Sequence, residues 1–114
     1  MKFQAVLVAA AAVFGLASAY DEVTECPATE FTKLAPLATN PNLPVCQDAS
    51  GWQMLPPTGY PTDAQLTIMC ATTECFNLID AVNATNPSDC MLVFGDVKLN
   101  VKKLVDTFAP SCFA

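Results

Sequence analysis

Pro61-Thr62-Asp63-Ala64-Gln65-Leu66-Thr67-Ile68-Met69-Cys70-Ala71-Thr72-Thr73-Glu74-Cys75 is the stretch that decides how this chain folds. Thr62 followed three residues later by Gln65 has the form of a capping box, in which each side chain satisfies an orphan backbone N–H of the other residue. A helix should therefore begin at Asp63, with Leu66, Met69 and Cys70 continuing on one face. Thr72 or Thr73 then caps a second helix, where Cys75, Leu78, Ile79 and Val82 repeat the i, i+3, i+4, i+7 spacing until Asn86-Pro87 ends it. Cys70 and Cys75 thus flank a helix-to-helix corner, and the centre of the chain reads as α-helical.

Toward the C-terminus, Met91 to Phe94 and Val97 to Leu99 read as a small hairpin turned by Gly95-Asp96. An isolated hairpin is marginal in water, so this one must lean on the helices. Asn100 is a good N-cap for a last helix whose apolar face is Val101, Leu104, Val105 and Phe108. That helix is expected to stop before Pro110, leaving Cys112 to pin the tail.

Toward the N-terminus, Pro56-Pro57-Thr58-Gly59-Tyr60-Pro61 crowds three prolines and a glycine into six positions and reads as an ordered loop. A short helix should run from Pro44 to Ala49 and stop at Ser50-Gly51. The segment Asn40 to Pro44 must extend or turn. Before it, Thr24 is the expected N-cap of a first helix, with Pro27 in its first turn and Phe31, Leu34, Ala35 and Ala38 on one face. Pro36 should kink or shorten that helix.

Residues 1–19 join Lys2 to an apolar run from Ala5 to Leu16 and the small-residue site Ala17-Ser18-Ala19, the pattern of a secretory signal peptide cleaved before Tyr20. No later segment approaches the roughly 20 apolar residues a membrane helix requires. The rest, 20–114, has the size of one domain, exported and extracellular. All six cysteines, Cys26, Cys46, Cys70, Cys75, Cys90 and Cys112, follow the signal. An even count in a short exported chain reads as three disulfides, although count alone does not fix which pairs form. Eleven acidic residues against five lysines and no arginine give a net charge of −6, so nucleic acid is not an expected partner.

The chain contains no histidine, which removes Ser-His-Asp and Cys-His nucleophile systems, histidine metal ligands and the commonest general base. The cysteine spacing fits no zinc ribbon or finger, and no metal or other cofactor is expected. Asp21 with Glu22, and Asp89 near Asp96, are acid pairs of the kind a glycosidase needs, but nothing in the pattern gathers them in a cleft. Only Gly51, Gly59 and Gly95 follow the signal, too few for a phosphate-binding loop. The chain is read as a non-enzyme. Asn83-Ala84-Thr85 is an N-glycosylation acceptor, whereas Asn86-Pro87-Ser88 is barred by its proline.

Trp52, Met54, Leu55, Tyr60, Met69 and Phe94 supply large, adaptable apolar side chains beside turns and the hairpin. Such residues line lipid pockets because they repack around irregular ligands. They also build ordinary dry cores, and pattern alone favours the dry core.

Four stretches, together with the gaps of 24, 5 and 15 residues separating Cys46, Cys70, Cys75 and Cys90, resemble the elicitins and elicitin-like proteins of oomycetes. They are Cys46-Gln47-Asp48-Ala49-Ser50-Gly51-Trp52-Gln53-Met54-Leu55, the 61–75 stretch above, Asn86-Pro87-Ser88-Asp89-Cys90, and Leu99-Asn100-Val101. The resemblance covers nearly all of residues 26 to 112. It implies a mainly all-α fold of about five helices and a short β-hairpin around an internal apolar cavity. It also implies disulfides joining Cys26 with Cys90, Cys46 with Cys75, and Cys70 with Cys112. The implied function is carriage of one sterol or other slim lipid, such as a fatty acid, with transient membrane contact for exchange. Recognition by a plant cell-surface receptor and a defence response are implied as well.

Carried over position by position, the cavity wall falls on Trp52, Met54, Leu66, Leu78 and Val82 ahead of the hairpin. Phe94, Val97, Leu99, Val101, Leu104 and Phe108 complete it. Trp52, Leu66 and Leu104 stand where many elicitins have tyrosines, which leaves Tyr60 or the Trp52 indole N–H as candidate partners for a ligand hydroxyl. The alternative reading is an interaction protein whose Pro56 to Pro61 loop meets a host protein without carrying lipid.

Overall fold

The computed structural model describes residues 20–113, and the signal peptide expected at 1–19 lies outside the described residues. Among the described residues, five α-helices and a two-stranded hairpin make up the fold. In chain order these are α1 (Thr29–Leu34), a 3₁₀ turn (Ala35–Thr39), α2 (Asn42–Ser50), α3 (Asp63–Cys70), α4 (Thr73–Ala84), β1 (Leu92–Phe94), β2 (Val97–Leu99) and α5 (Val101–Phe113).

The capping box forms as expected. The Gln65 N–H donates to Thr62 Oγ1 at 3.2 Å and the Thr62 N–H donates to Gln65 Oε1 at 2.9 Å. Five residues after Cys70, Cys75 lies in the first turn of α4, so the corner between the two helices is short and rigid. Helix α4 buries Cys75, Leu78, Ile79 and Val82, the spacing read from the sequence, against α2, α3 and α5. Helix α2 ends where Gly51 takes a φ of 79°, a left-handed position that costs glycine little.

The hairpin pairs Leu92 with Leu99, Val93 with Lys98 and Phe94 with Val97. Its alternation sends Leu92 and Leu99 inward and Lys98 outward. Asn100 caps α5 by accepting the Lys103 N–H at 3.0 Å. Its side-chain amide donates to the Asp21 carbonyl and to Asp89 Oδ1, so the fully buried Asn100 is satisfied on every side and ties the segment before α1 to α5.

Three disulfides staple the fold: Cys26–Cys90, Cys46–Cys75 and Cys70–Cys112. These are the pairs the resemblance implied.

Three element boundaries differ from the sequence reading. Helix α2 begins at Asn42 with Pro41 at its N-cap, so Asn42 to Pro44 are helical rather than extended, proline being tolerated in a first turn where its missing N–H has no helical partner. The first helix begins at Thr29, not after Thr24, and no side chain caps it. Thr24 is spent elsewhere: its carbonyl accepts the Met91 N–H and its own N–H donates to Asp21 Oδ1, which holds that segment extended beside Met91. From Ala35 the chain tightens into the 3₁₀ turn, where residues three apart share a face. Leu34 and Leu37 are therefore buried together, while Phe31 is 38% exposed. At the other end, α5 does not stop before Pro110 but continues to Phe113. Proline inside a helix costs one hydrogen bond and a steric clash. Here the Cys70–Cys112 disulfide and the Phe76–Phe113 ring contact at 6.1 Å hold the last turn in place.

Candidate functional site

Trp52 and Met54, both with no exposed surface, enter the centre of the molecule from the stretch after α2. Their backbone is fixed from two directions. The Trp52 N–H donates to Ser50 Oγ, and the Met54 and Leu55 N–H groups share Gln47 Oε1. The Trp52 indole N–H donates to the Gly59 carbonyl at 2.8 Å, so the loop folds back over its own tryptophan. Tyr60 closes the loop against α5, its hydroxyl oxygen accepting the Asn100 N–H at 2.8 Å while Lys103 Nζ lies 5.5 Å from its ring centre. Both groups expected to meet a ligand hydroxyl thus already hold protein partners.

Around Trp52 and Met54 one apolar cluster joins Leu78 and Val82 of α4, Leu92 and Leu99 of the hairpin, and Val101, Leu104 and Phe108 of α5. Eight of the eleven wall positions expected from sequence are therefore buried together. Leu66 and Val97 are half-buried and pack against the cluster. Phe94 lies apart, 47% exposed beside Phe31 with ring centroids 6.5 Å apart. It shares the inward face of β1 with Leu92, but at the hairpin tip that face extends past the helices beneath.

A cleft opens onto this cluster between α1, the Thr85–Ser88 turn and β1. Leu34, Leu92 and Val101 form its floor and belong to the apolar centre, while Glu30, Lys33, Thr85 and Ser88 line its rim. Its volume is about 10 Å³, close to the space one water molecule requires. Glu30, only 8% exposed, accepts the Ser88 N–H on Oε1 and the Ser88 hydroxyl and Lys33 ammonium on Oε2. Burial pushes the Glu30 carboxyl up. The hydrogen bonds from Lys33 and Ser88 together outweigh it, and its pKa lies below the ordinary value.

The sequence reading assigned Glu30 and Lys33 no role at a site, and marked Thr85 and Ser88 only as the ends of Asn-X-Thr/Ser triplets. A carboxylate and a lysine three apart on a helix were a visible signal. Ser88 lies 58 residues from Glu30 and gave none. One member of each acid pair has a structural duty: Asp21 Oδ1 accepts the Val23 and Thr24 N–H groups, and Asp89 Oδ1 accepts the Asp21 N–H and the Asn100 amide. Asn83 is exposed at the end of α4. Among the described residues, no group of three or more acidic or cysteine side chains could hold a metal ion, and no helix is long and apolar enough to cross a membrane.

The elicitin family profile matches residues 25–112. The chain belongs to the elicitin family. It is 33% identical to "Highly acidic elicitin 20" of Phytophthora cryptogea over 98% of this chain and 94% of that protein. It is 37% identical to "Elicitin-like protein 2" of Pythium oligandrum over 92% of this chain, which spans 65% of that protein. Among solved structures, sylvaticin, described as a secreted protein from Pythium sylvaticum, superposes with a TM-score of 0.81 at 71% identity. That match covers 82% of this chain and 100% of sylvaticin. The fold is therefore shared with a solved relative.

Proposed function

We propose that this elicitin is a secreted carrier of one sterol or similarly slim lipid, held among the side chains of its apolar centre. The observation that carries the reading is the single apolar cluster contributed by α2, the Trp52–Met54 stretch, α4, the hairpin and α5. Membership of the elicitin family supports it, and so does the export pattern of residues 1–19. With no histidine and no nucleophile arrangement, the chain has chemistry suited to binding rather than catalysis.

The volume of the cleft sets how carriage must work. A pocket for a drug-sized ligand holds about 300 Å³ or more, far beyond the 10 Å³ beside α1. The lipid must part the walls as it enters, so the competent conformation is a minor one and apparent affinity falls by its population. The three disulfides suit this demand. They hold the helices in register while side chains such as Met54 and Met69 rearrange. Burial of ligand surface at about 25 cal/mol per Å² supplies the driving force, reduced by association costs.

Exchange with a membrane would be transient, since a net charge of −6 gives no attraction to anionic lipid. Membership of the elicitin family also supports recognition by a plant cell-surface receptor and a defence response. Asn83, exposed within its acceptor sequence, is a site for an extracellular glycan.

The test incubates the secreted protein with sterol-containing vesicles and reads lipid occupancy by native mass spectrometry and transfer of a fluorescent sterol by emission. One lipid per chain and accelerated transfer are expected. Leu78→Trp, which fills the wall from α4, should lower occupancy at least tenfold while the far-ultraviolet dichroism stays helical. A lipid-free protein that moves no sterol ends the proposal.

A further inference from the structure

Chain ends are loose unless something ties them down, and the arm from Tyr20 to Cys26 is tied along its length. The Tyr20 hydroxyl donates to Asp106 Oδ2 at 2.9 Å, and the Asp21 N–H donates to Asp89 Oδ1 at 2.9 Å. Glu22 pairs with Lys103 at 3.0 Å, the Thr24 carbonyl accepts the Met91 N–H, and the Cys26 N–H donates to the Met91 carbonyl. The Cys26–Cys90 disulfide closes the far end. These ties begin at Tyr20, the residue that cleavage after Ala17-Ser18-Ala19 makes the first of the secreted protein.

The charges around the arm do not balance. The arm brings Asp21, Glu22 and Glu25; the turn before β1 brings Asp89, and α5 brings Lys102, Lys103 and Asp106. Lys102 is taken by Asp106 at 3.4 Å and Lys103 by Glu22. Among the described residues, neither Asp21 nor Asp89 forms an ion pair. Their recorded partners are neutral donors, the Val23 and Thr24 N–H groups for Asp21 and the Asp21 N–H and Asn100 amide for Asp89. Cleavage supplies a cation at this place, because it turns the Tyr20 peptide nitrogen into an α-ammonium, protonated below about pH 7.7 to 8.0. Successive backbone nitrogens lie no more than about 3.6 Å apart. With the Asp21 nitrogen 2.9 Å from Asp89 Oδ1, the ammonium stands within about 6.5 Å of that carboxylate, close to the range over which an opposite charge favours the charged form. Before cleavage the same atom is an uncharged amide.

We infer that removal of the signal peptide completes an electrostatic latch, in which the Tyr20 α-ammonium is held by Asp89 and keeps the N-terminal arm closed on the domain. The inference rests on the reading of residues 1–19 as a signal peptide cleaved before Tyr20. What the latch secures follows from the second contact of Asp89. Its Oδ1 also accepts the amide of Asn100 at 2.6 Å, and Asn100, fully buried, caps the helix that carries Val101, Leu104 and Phe108 into the apolar centre. Cys26, at the other end of the arm, lines the cleft beside Leu34 and Val101. Processing therefore tightens the arm, the start of α5 and one wall of the cleft together. Asp89 and the arm are exposed to water, so the latch is a weak one, of the strength of a surface ion pair.

The experiment begins with the intact mass of the secreted protein. An N-terminus other than Tyr20 overturns the cleavage reading and the latch together. The protein is then compared with one carrying Gly-Ser inserted between Ala19 and Tyr20, which moves the amine away by up to about 7 Å. Each is made with and without Asp89→Asn, a change that keeps the Oδ1 acceptor and removes the charge. In urea unfolding at about pH 6, the insertion should raise the unfolding equilibrium constant about two- to fivefold, and should leave it unchanged in the Asp89→Asn background. The latch raises the folded pKa of the amine, so the difference is complete below the unfolded value of about 7.7 and is lost as pH rises through the folded one. No difference at about pH 6 overturns the latch and leaves the cleavage reading standing. A difference that persists at about pH 10, or in Asp89→Asn, shows that the insertion disturbs packing only and also overturns it. Should Asp89→Asn fail to fold, titration of the Tyr20 amine by nuclear magnetic resonance decides. A value above the ordinary α-amine range supports the latch, and a value within that range overturns it.

Discussion

Glu30 and Lys33 form an ion pair at 2.9 Å on a six-residue helix that could not hold itself together in water. Its environment makes the carboxylate a partner in stability. Because the folded pKa of Glu30 lies below the ordinary 4.5, its contribution is complete above that value and is lost as pH falls through the lowered folded pKa. Urea unfolding measured from neutral pH downward should show stability declining below about pH 4.5, with a shallower decline in Glu30→Gln. An identical decline in both proteins would remove Glu30 from the acid response. Tyr60 gives a second test at this scale. Tyr60→Phe leaves the Asn100 N–H without its acceptor, and a loss of about 1 to 3 kcal/mol in urea unfolding is expected.

The elements differ in how much of each was readable. Helix α3 was legible because its signal is local: Thr62 and Gln65 are three residues apart and need nothing else to form the box. Thr62→Ala should therefore cost about 1 kcal/mol of stability, measured by thermal unfolding with Gln65 intact. Helix α4 was legible for the same reason, through Cys75, Leu78, Ile79 and Val82 on one face. The ends of α1 and α5 were not legible. Thr24 is an adequate cap in sequence, but Met91 and Asp21 compete for its backbone from 67 and three residues away. Pro110 is a sound stop signal, overridden by a disulfide whose partner is 42 residues distant.

For the whole molecule, disulfides and a continuous apolar cluster replace the larger core that a longer chain would build. Replacing Cys70 and Cys112 together by serine opens a closure of 42 residues and frees the end of α5. A loss of about 2 to 5 kcal/mol is expected, read as a lowered urea midpoint with α4 still helical by dichroism. Within the apolar wall, residues on strongly periodic helices, such as Leu78, Val82, Leu104 and Phe108, were placed inside from sequence and are buried. Phe94 obeyed the strand alternation and is nevertheless exposed, because alternation tells which face a side chain takes and not how far the neighbouring helices reach.

The sequence by itself determined the helical class, the capping box, the hairpin and its Gly95 turn, the Asn100 cap and the family, since each depends on residues close together or on cysteine spacing. Tertiary structure alone decided that Glu30 meets Ser88 across 58 residues, that Tyr60 meets Asn100 across 40, and that a cleft opens onto the apolar centre beside α1. Hydrogen bonds and clefts between distant segments are made by packing. No local pattern of residues encodes them.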